Sequence, residues 1–108
     1  MTTYAIGHLR NVKIGQDIAD YLTAIDATLA PYQGRFIIHG GEKTQLEGSF
    51  TDDLIAIAFP DHAAASAWYA SPAYQAILPK RTMNSQGDAF LIDGVSEDHR
   101  AVDILAGL

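Results

Sequence analysis

The run Leu54 to Phe59 (LIAIAF) carries no polar side chain, and Pro60 follows it at once. A short apolar run of this kind, rich in Ile and bounded by turn formers, reads as a strand buried on both faces. Ile55, Ile57 and Phe59 point one way and Leu54, Ala56 and Ala58 the other. Such a strand belongs inside a sheet, and both faces of that sheet must be covered. With 108 residues, 48 % of them hydrophobic, the chain is long enough for one domain with its own core and has the composition of a globular one. The absence of cysteine excludes disulfide frameworks, thiolate metal sites and cysteine nucleophiles.

Around this strand the periodicities alternate. Tyr4 to Arg10 sets Tyr4, Ile6, His8 and Arg10 against Ala5, Gly7 and Leu9, which is strand spacing. Between Gly15 and Tyr32 the positions Ile18, Leu22, Ile25 and Leu29 recur at helical intervals, with Asp17 and Asp20 early, where the helix dipole favours acids. Phe36 to Ile38 gives a second strand ending in the Gly40–Gly41 pair, which predicts a bulge or bend. Residues 42–53 are polar and turn-rich and are expected to form an extended hairpin arm. Asp61 is an expected N-cap for the alanine-rich run to Ala70, and Ser71 with Pro72 repeats the signal, so this helix breaks and restarts through Ile77. Phe90 to Val95 supplies a fourth strand after the polar stretch Lys80 to Asp88. Ser96, Glu97 and Asp98 then cap a tail helix carrying Val102 and Leu105. The order β-α-β-β-α-β predicts an α+β sandwich, with both helices on one face of a four-stranded antiparallel sheet.

Two helices cover one face of four strands, yet apolar side chains occur on both sides, as at Ile37 beside Ile38 and Leu91 beside Ile92. A two-fold homodimer through the open sheet faces is the simplest way to bury the second side. Ala5 and Gly7 are small enough to let a helix lie close, which assigns Tyr4, Ile6, His8 and Arg10 to the open side. Taking the polar parity in the other strands adds Ile37 with His39, and Leu91 with Asp93. This gathers two histidines and a carboxylate in an apolar, sheet-lined cavity at the dimer centre.

The residues Leu46-Glu47-Gly48, then Phe59-Pro60, then Ala67-Trp68-Tyr69-Ala70-Ser71-Pro72-Ala73-Tyr74, and Arg81, make the chain resemble the domain-of-unknown-function family 1330, a branch of the dimeric α+β barrel superfamily. The resemblance runs from Tyr4 to about Gly94. It implies a ferredoxin-like domain over residues 1–95, with residues 96–108 as a tail, and a sheet that pairs with that of a second copy. Other branches of the superfamily include cofactor-free oxygenases, lactone isomerases and haem-handling enzymes, and no activity follows for this one. The sequence departs from the family's pattern at His39, where an arginine commonly precedes the Gly-Gly pair, so an anion-binding role does not carry over to that position.

His8 and His39 are the candidate general bases, because imidazole titrates near neutrality; each is equally readable as a hydrogen-bonded strand residue. A metal site from His8, His39 and Asp93 would need three ligands converging from separate strands, and no local His-x-His spacing supports it. Trp68, Tyr69 and Tyr74 are candidates for an aromatic pocket at the helix break, with Trp68 also readable as core. Arg81 can pair with Glu47 in a structural salt bridge or grip a ligand carboxylate through its fork. Glycine-rich nucleotide loops, a Gly-x-Ser-x-Gly elbow and a His-Glu-x-x-His pair are all missing.

A net charge of −6 and an aliphatic third strand disfavour RNA and anionic membranes as partners. Met1 to Arg10 lacks the basic and apolar regions of a signal peptide, so the expected location is the cytoplasm. The leading expectation is a homodimer that binds or transforms an apolar or aromatic small molecule without a tightly bound cofactor. In an enzymatic version a histidine removes a proton while Arg81 or Tyr69 steadies the oxyanion. The alternatives are a non-catalytic stabilising, sensing or interaction module whose sheet faces fill one another, and a haem or metal binder with visible absorbance.

Overall fold

Local signals in the chain place each element, and a computed structural model describes all 108 residues. Strand β1 (Thr3–Arg10) leads into helix α1 (Gln16–Leu29), which keeps Ile18, Tyr21, Ile25 and Leu29 on its buried stripe and tightens into a 3-10 turn at Ala30–Tyr32. Strand β2 (Arg35–His39) follows, then β3 (Asp53–Phe59). The Asp61 carboxylate accepts from the Ala64 N–H at 2.8 Å and starts α2 (His62–Ala70). The Ser71 hydroxyl accepts from the Tyr74 N–H at 3.2 Å and, with Pro72 in the first turn, starts α3 (Pro72–Thr82). The broken second helix is therefore as expected, but α3 runs past Ile77 and through Pro79 to Thr82.

Strand β4 spans Gln86–Asp93 rather than Phe90–Val95. Its polar first half is held by ladder bonds to β1, Gln86 opposite Arg10 and Asp88 opposite His8. An exposed edge strand needs no apolar pattern to pair. Residues 40–52 form no strand, so the expected hairpin arm is instead an irregular loop. Gly40 and Gly48 turn it with φ of 75° and 65°, conformations that favour glycine.

The sheet order is β2-β3-β1-β4, all pairs antiparallel, with the helices on one face. This is the ferredoxin-like α+β fold. The apolar strand β3 lies inside the sheet, as its sequence requires. The core sits between sheet and helices: Ile57 and Phe59 from β3 pack on Tyr21, Ile25 and Leu29 from α1 and on Trp68 and Tyr74 from α2 and α3. Trp68 is core, and its indole N–H donates to the Thr28 hydroxyl at 3.0 Å.

The register overturns two of the expected strand parities. Thr3, Ala5 and Gly7 face the helices and Tyr4, Ile6 and His8 the open side, as read from the sequence. In β4, however, Leu91 pairs with Ala5 and Asp93 with Thr3, so both belong to the helix side, and Phe90 and Ile92 face outward. In β2 a bulge at Ile37 puts two residues opposite one of β3: Phe36 pairs with Ile57 and Ile38 with Ala56. Beyond it His39 sits opposite Ile55, on the helix side. One inserted residue flips every later side chain, which is why His39 lies opposite to expectation.

Residues 95–108 are exposed throughout, including the 3-10 helix Ala101–Gly107 with Val102, Ile104 and Leu105. The radius of gyration, 15.5 Å, exceeds the roughly 13 Å of a compact chain of this length, as a projecting tail requires.

Candidate functional site

Ala5 and Gly7 of β1 and Ala89 of β4 share the helix-facing side of the sheet. Ala5 packs against the core under the helices, as its small size allows, whereas Gly7 is left with open space above it. A Cβ added at Gly7 would meet only Ile55, at 3.7 Å and in ordinary contact. The space left over these residues is a cavity of about 800 Å³, and 21 of its 30 lining residues are hydrophobic. Ile14, His39 and Lys43, all exposed, border it and mark its mouth. The cavity therefore reaches between sheet and helices, and its lining also takes in Ile6, Ile38, Leu54 and Phe90, which have the outward parity.

Polar groups line this apolar space in two places: His39, Glu42, Lys43 and Asp53 around the start and the end of the 40–52 loop, and a cluster on the helices. Tyr74 and Arg81 stand seven residues apart, two turns of α3, so they share a face of that helix, and Tyr21 reaches across from α1. The Tyr21 and Tyr74 hydroxyls are 2.7 Å apart and share a hydrogen bond, with ring centroids 6.1 Å apart in an edge-on arrangement. Burial, then the neighbouring Tyr74, pushes the Tyr21 hydroxyl well above its ordinary range, so it stays protonated. Burial alone would lower the pKa of the half-buried Arg81 guanidinium, but the tyrosine oxygens beside it outweigh that and raise it. Tyr21 is the member of this cluster that the sequence reading missed; its place on the α1 stripe beside Ile18 and Ile25 was the available signal.

The expected pocket aromatics do come together. The Trp68 and Tyr74 centroids are 4.1 Å apart and those of Tyr69 and Tyr74 5.6 Å. Tyr74 is buried at 2 % exposure and Tyr69 open at 42 %, and all three line the cavity. Glu47 is exposed on the 40–52 loop and makes no pair with Arg81. The expected structural salt bridge is absent, because that loop folds toward His8 instead. The His8 Nε2 lies 2.8 Å from the Asp52 carboxylate, its ring packs tilted against Phe50 with centroids 5.0 Å apart, and Lys43 donates to the Asp52 carbonyl at 3.2 Å.

His8, His39 and Asp93 are not brought together. His8 is on the open side of β1 and does not line the cavity. His39 is on the helix side at the cavity mouth, stacked on Phe36 at 4.5 Å. Asp93 is at the far end of β1, five strand positions from His8's partner Asp88, or about 17 Å. There it accepts from Thr3 at 2.7 Å and lies 3.3 Å from His62, and these two bonds hold its carboxyl below the usual range. The trio weighed as metal ligands therefore does not form, nor does any group of three such side chains with that spacing. No helix is long and apolar enough to cross a membrane.

Fold and site together define a ferredoxin-like α+β protein with a ligand-sized helix–sheet cleft. The family model described as a domain of unknown function (DUF1330) matches residues 2–95, and the chain belongs to that family. Among solved structures it is similar to a protein of unknown function from Rhodopseudomonas palustris, with TM-score 0.61 and 17 % identity over 84 % of this chain and 78 % of that one. A dimeric ferredoxin-like protein of unknown function from Jannaschia sp. CCS1 gives TM-score 0.62 at 17 % identity, covering 89 % and 100 %. SnoaB, a cofactor-independent oxygenase from Streptomyces nogalater, gives 0.51 at 16 % identity, covering 92 % and 96 %. No curated protein matches the chain.

Proposed function

We propose that this protein binds an apolar or aromatic small molecule in the cleft between its helices and sheet, and that it does so as a homodimer joined through the open sheet faces. The observation that carries the binding reading is the cavity itself, about 800 Å³ with a mainly hydrophobic lining, within the size range of small-molecule sites. The dimer reading is supported by Phe90 and Ile92, exposed at 49 % and 52 % on the open face, and by the dimeric description of the Jannaschia neighbour. Of the four histidines only His39 lines the cavity, so a proton transfer on a bound molecule falls to His39 rather than His8. A cofactor-free transformation of the ligand fits this arrangement.

A thermal-shift screen against aromatic acids, quinones and lactones tests the proposal. A ligand of the native state adds about 2.7 kcal/mol at a hundredfold excess over its Kd. Gly7→Leu is the matched control, since its side chain projects into the cavity while its Cβ makes only ordinary contact with Ile55. The expected outcome is a stabilising compound whose effect disappears in Gly7→Leu while the fold is retained. Silence across the screen, or a shift that survives Gly7→Leu, removes the cleft as the site.

A further inference from the structure

The geometry points to an anion-binding subsite at the inner wall of the cleft, built from Arg81, Tyr21 and Tyr74, and therefore to an apolar or aromatic acid as the class of ligand. This inference rests on the cleft being a binding site and adds the charge of what enters it.

Of the seven Lys and Arg side chains only Lys80 makes an ion pair, and of the other six Arg81 alone is not exposed. The carboxylates in close contact with basic groups are those beside His8, His62 and Lys80, and none lies within pairing distance of Arg81. This guanidinium is half-buried, lines an apolar cavity and sits beside two buried phenols. Keeping an unpaired cation in such surroundings costs free energy, and an arriving anion recovers it. Tyr21 does not serve as the counter-charge, because burial keeps its hydroxyl protonated.

A count of hydrogens gives the same answer. The two phenols own two O–H hydrogens and spend one on their mutual 2.7 Å bond, which leaves the other to donate outward. The guanidinium offers five N–H donors in a planar fork and no acceptor. The cluster is thus rich in donors and positively charged, and an anionic oxygen is the complement. A carboxylate suits it best, since the fork binds its two oxygens side by side. The remaining walls, with Trp68 and Tyr69 near the phenols and Ile55 and Ile57 on the sheet, suit a flat apolar body.

The test is displacement of N-phenyl-1-naphthylamine, a neutral apolar dye, by 1-naphthoate and by 1-naphthamide, which differ in charge but hardly in shape. Dye binding reports the cleft, and the acid-to-amide ratio reports the subsite. In the wild-type protein the acid is expected to displace the dye at about tenfold lower concentration than the amide, the order expected of a charge-assisted forked pair. In Arg81→Gln the two are expected to fall within about twofold of each other while the dye still binds. Arg81→Lys retains the charge without the fork and is expected to lie between. It decides the matter if the Gln variant loses the dye: a Lys variant with the full wild-type preference overturns forked recognition. Equal displacement in the wild type, or a preference that persists in Arg81→Gln, overturns the subsite and leaves the cleft standing. Failure of the dye to bind the wild type overturns both.

Discussion

The two faces of the sheet are built from the same kinds of residue and end in opposite conditions. On the helix-covered face, Ile57 and Phe59 pack tightly against Trp68 and α1, yet Ala5, Gly7 and Ala89 leave a cavity beside them. On the open face, Ile38, Leu54, Phe90 and Ile92 are large and stand exposed, at 40 % or more. Apolar character alone does not assign a role to either face. Side-chain size separates them: small residues under a roof of helices leave a cavity, and large residues with no roof leave an exposed apolar surface.

The helix-covered face is the one that holds the domain together, so the largest effect is expected there. Phe59→Ala removes a ring exposed at 1 % and should cost about 3–5 kcal/mol, read from urea unfolding. A loss below about 1 kcal/mol would mean that the core is elsewhere. The open face should respond in assembly rather than in folding. Ile92→Glu places a charge in the proposed seam and is expected to weaken the dimer by about 2–3 kcal/mol, halving the mass seen by light scattering at micromolar concentration while the circular dichroism stays unchanged. A wild type that already runs as a monomer would break the contrast between the faces.

The smallest effect sharpens the chemistry of the covered face. Tyr21 keeps its proton in the folded protein well beyond the ordinary 10.0. Above that pH the unfolded chain loses a proton that the folded one retains, so this contribution to stability is full below about pH 10 and declines as pH rises. The slope from one such group is at most about 1.4 kcal/mol per pH unit. Denaturant titrations between pH 9 and 11 should show a shallower decline in Tyr21→Phe; an identical slope would assign the effect to other groups.

Much of the fold could be read residue by residue. Caps at Asp61 and Ser71 mark the two helix starts by their short side chains, and the unbroken apolar run of β3 marks an interior strand, because these signals act over a few residues. Membership of the DUF1330 family was legible in the Trp68-to-Tyr74 stretch for the same local reason. The site was legible only in part. Trp68, Tyr69, Tyr74 and Arg81 all line the cavity, but the partnership of Arg81 with Tyr21 links α3 to α1 across 60 residues and has no mark in either segment.

The sequence by itself determined the order of the elements, the helix-facing parity of β1 and the surplus of apolar sheet surface. Which way β2 and β4 face was left to the tertiary structure. Both parities of β4 are apolar, so only its pairing with β1 places Leu91 inward and Phe90 outward. One extra residue at Ile37 carries His39 from the open side to the mouth of the cleft. A strand's period of two makes its facing depend on a single residue of register, and register is set by the neighbouring strand.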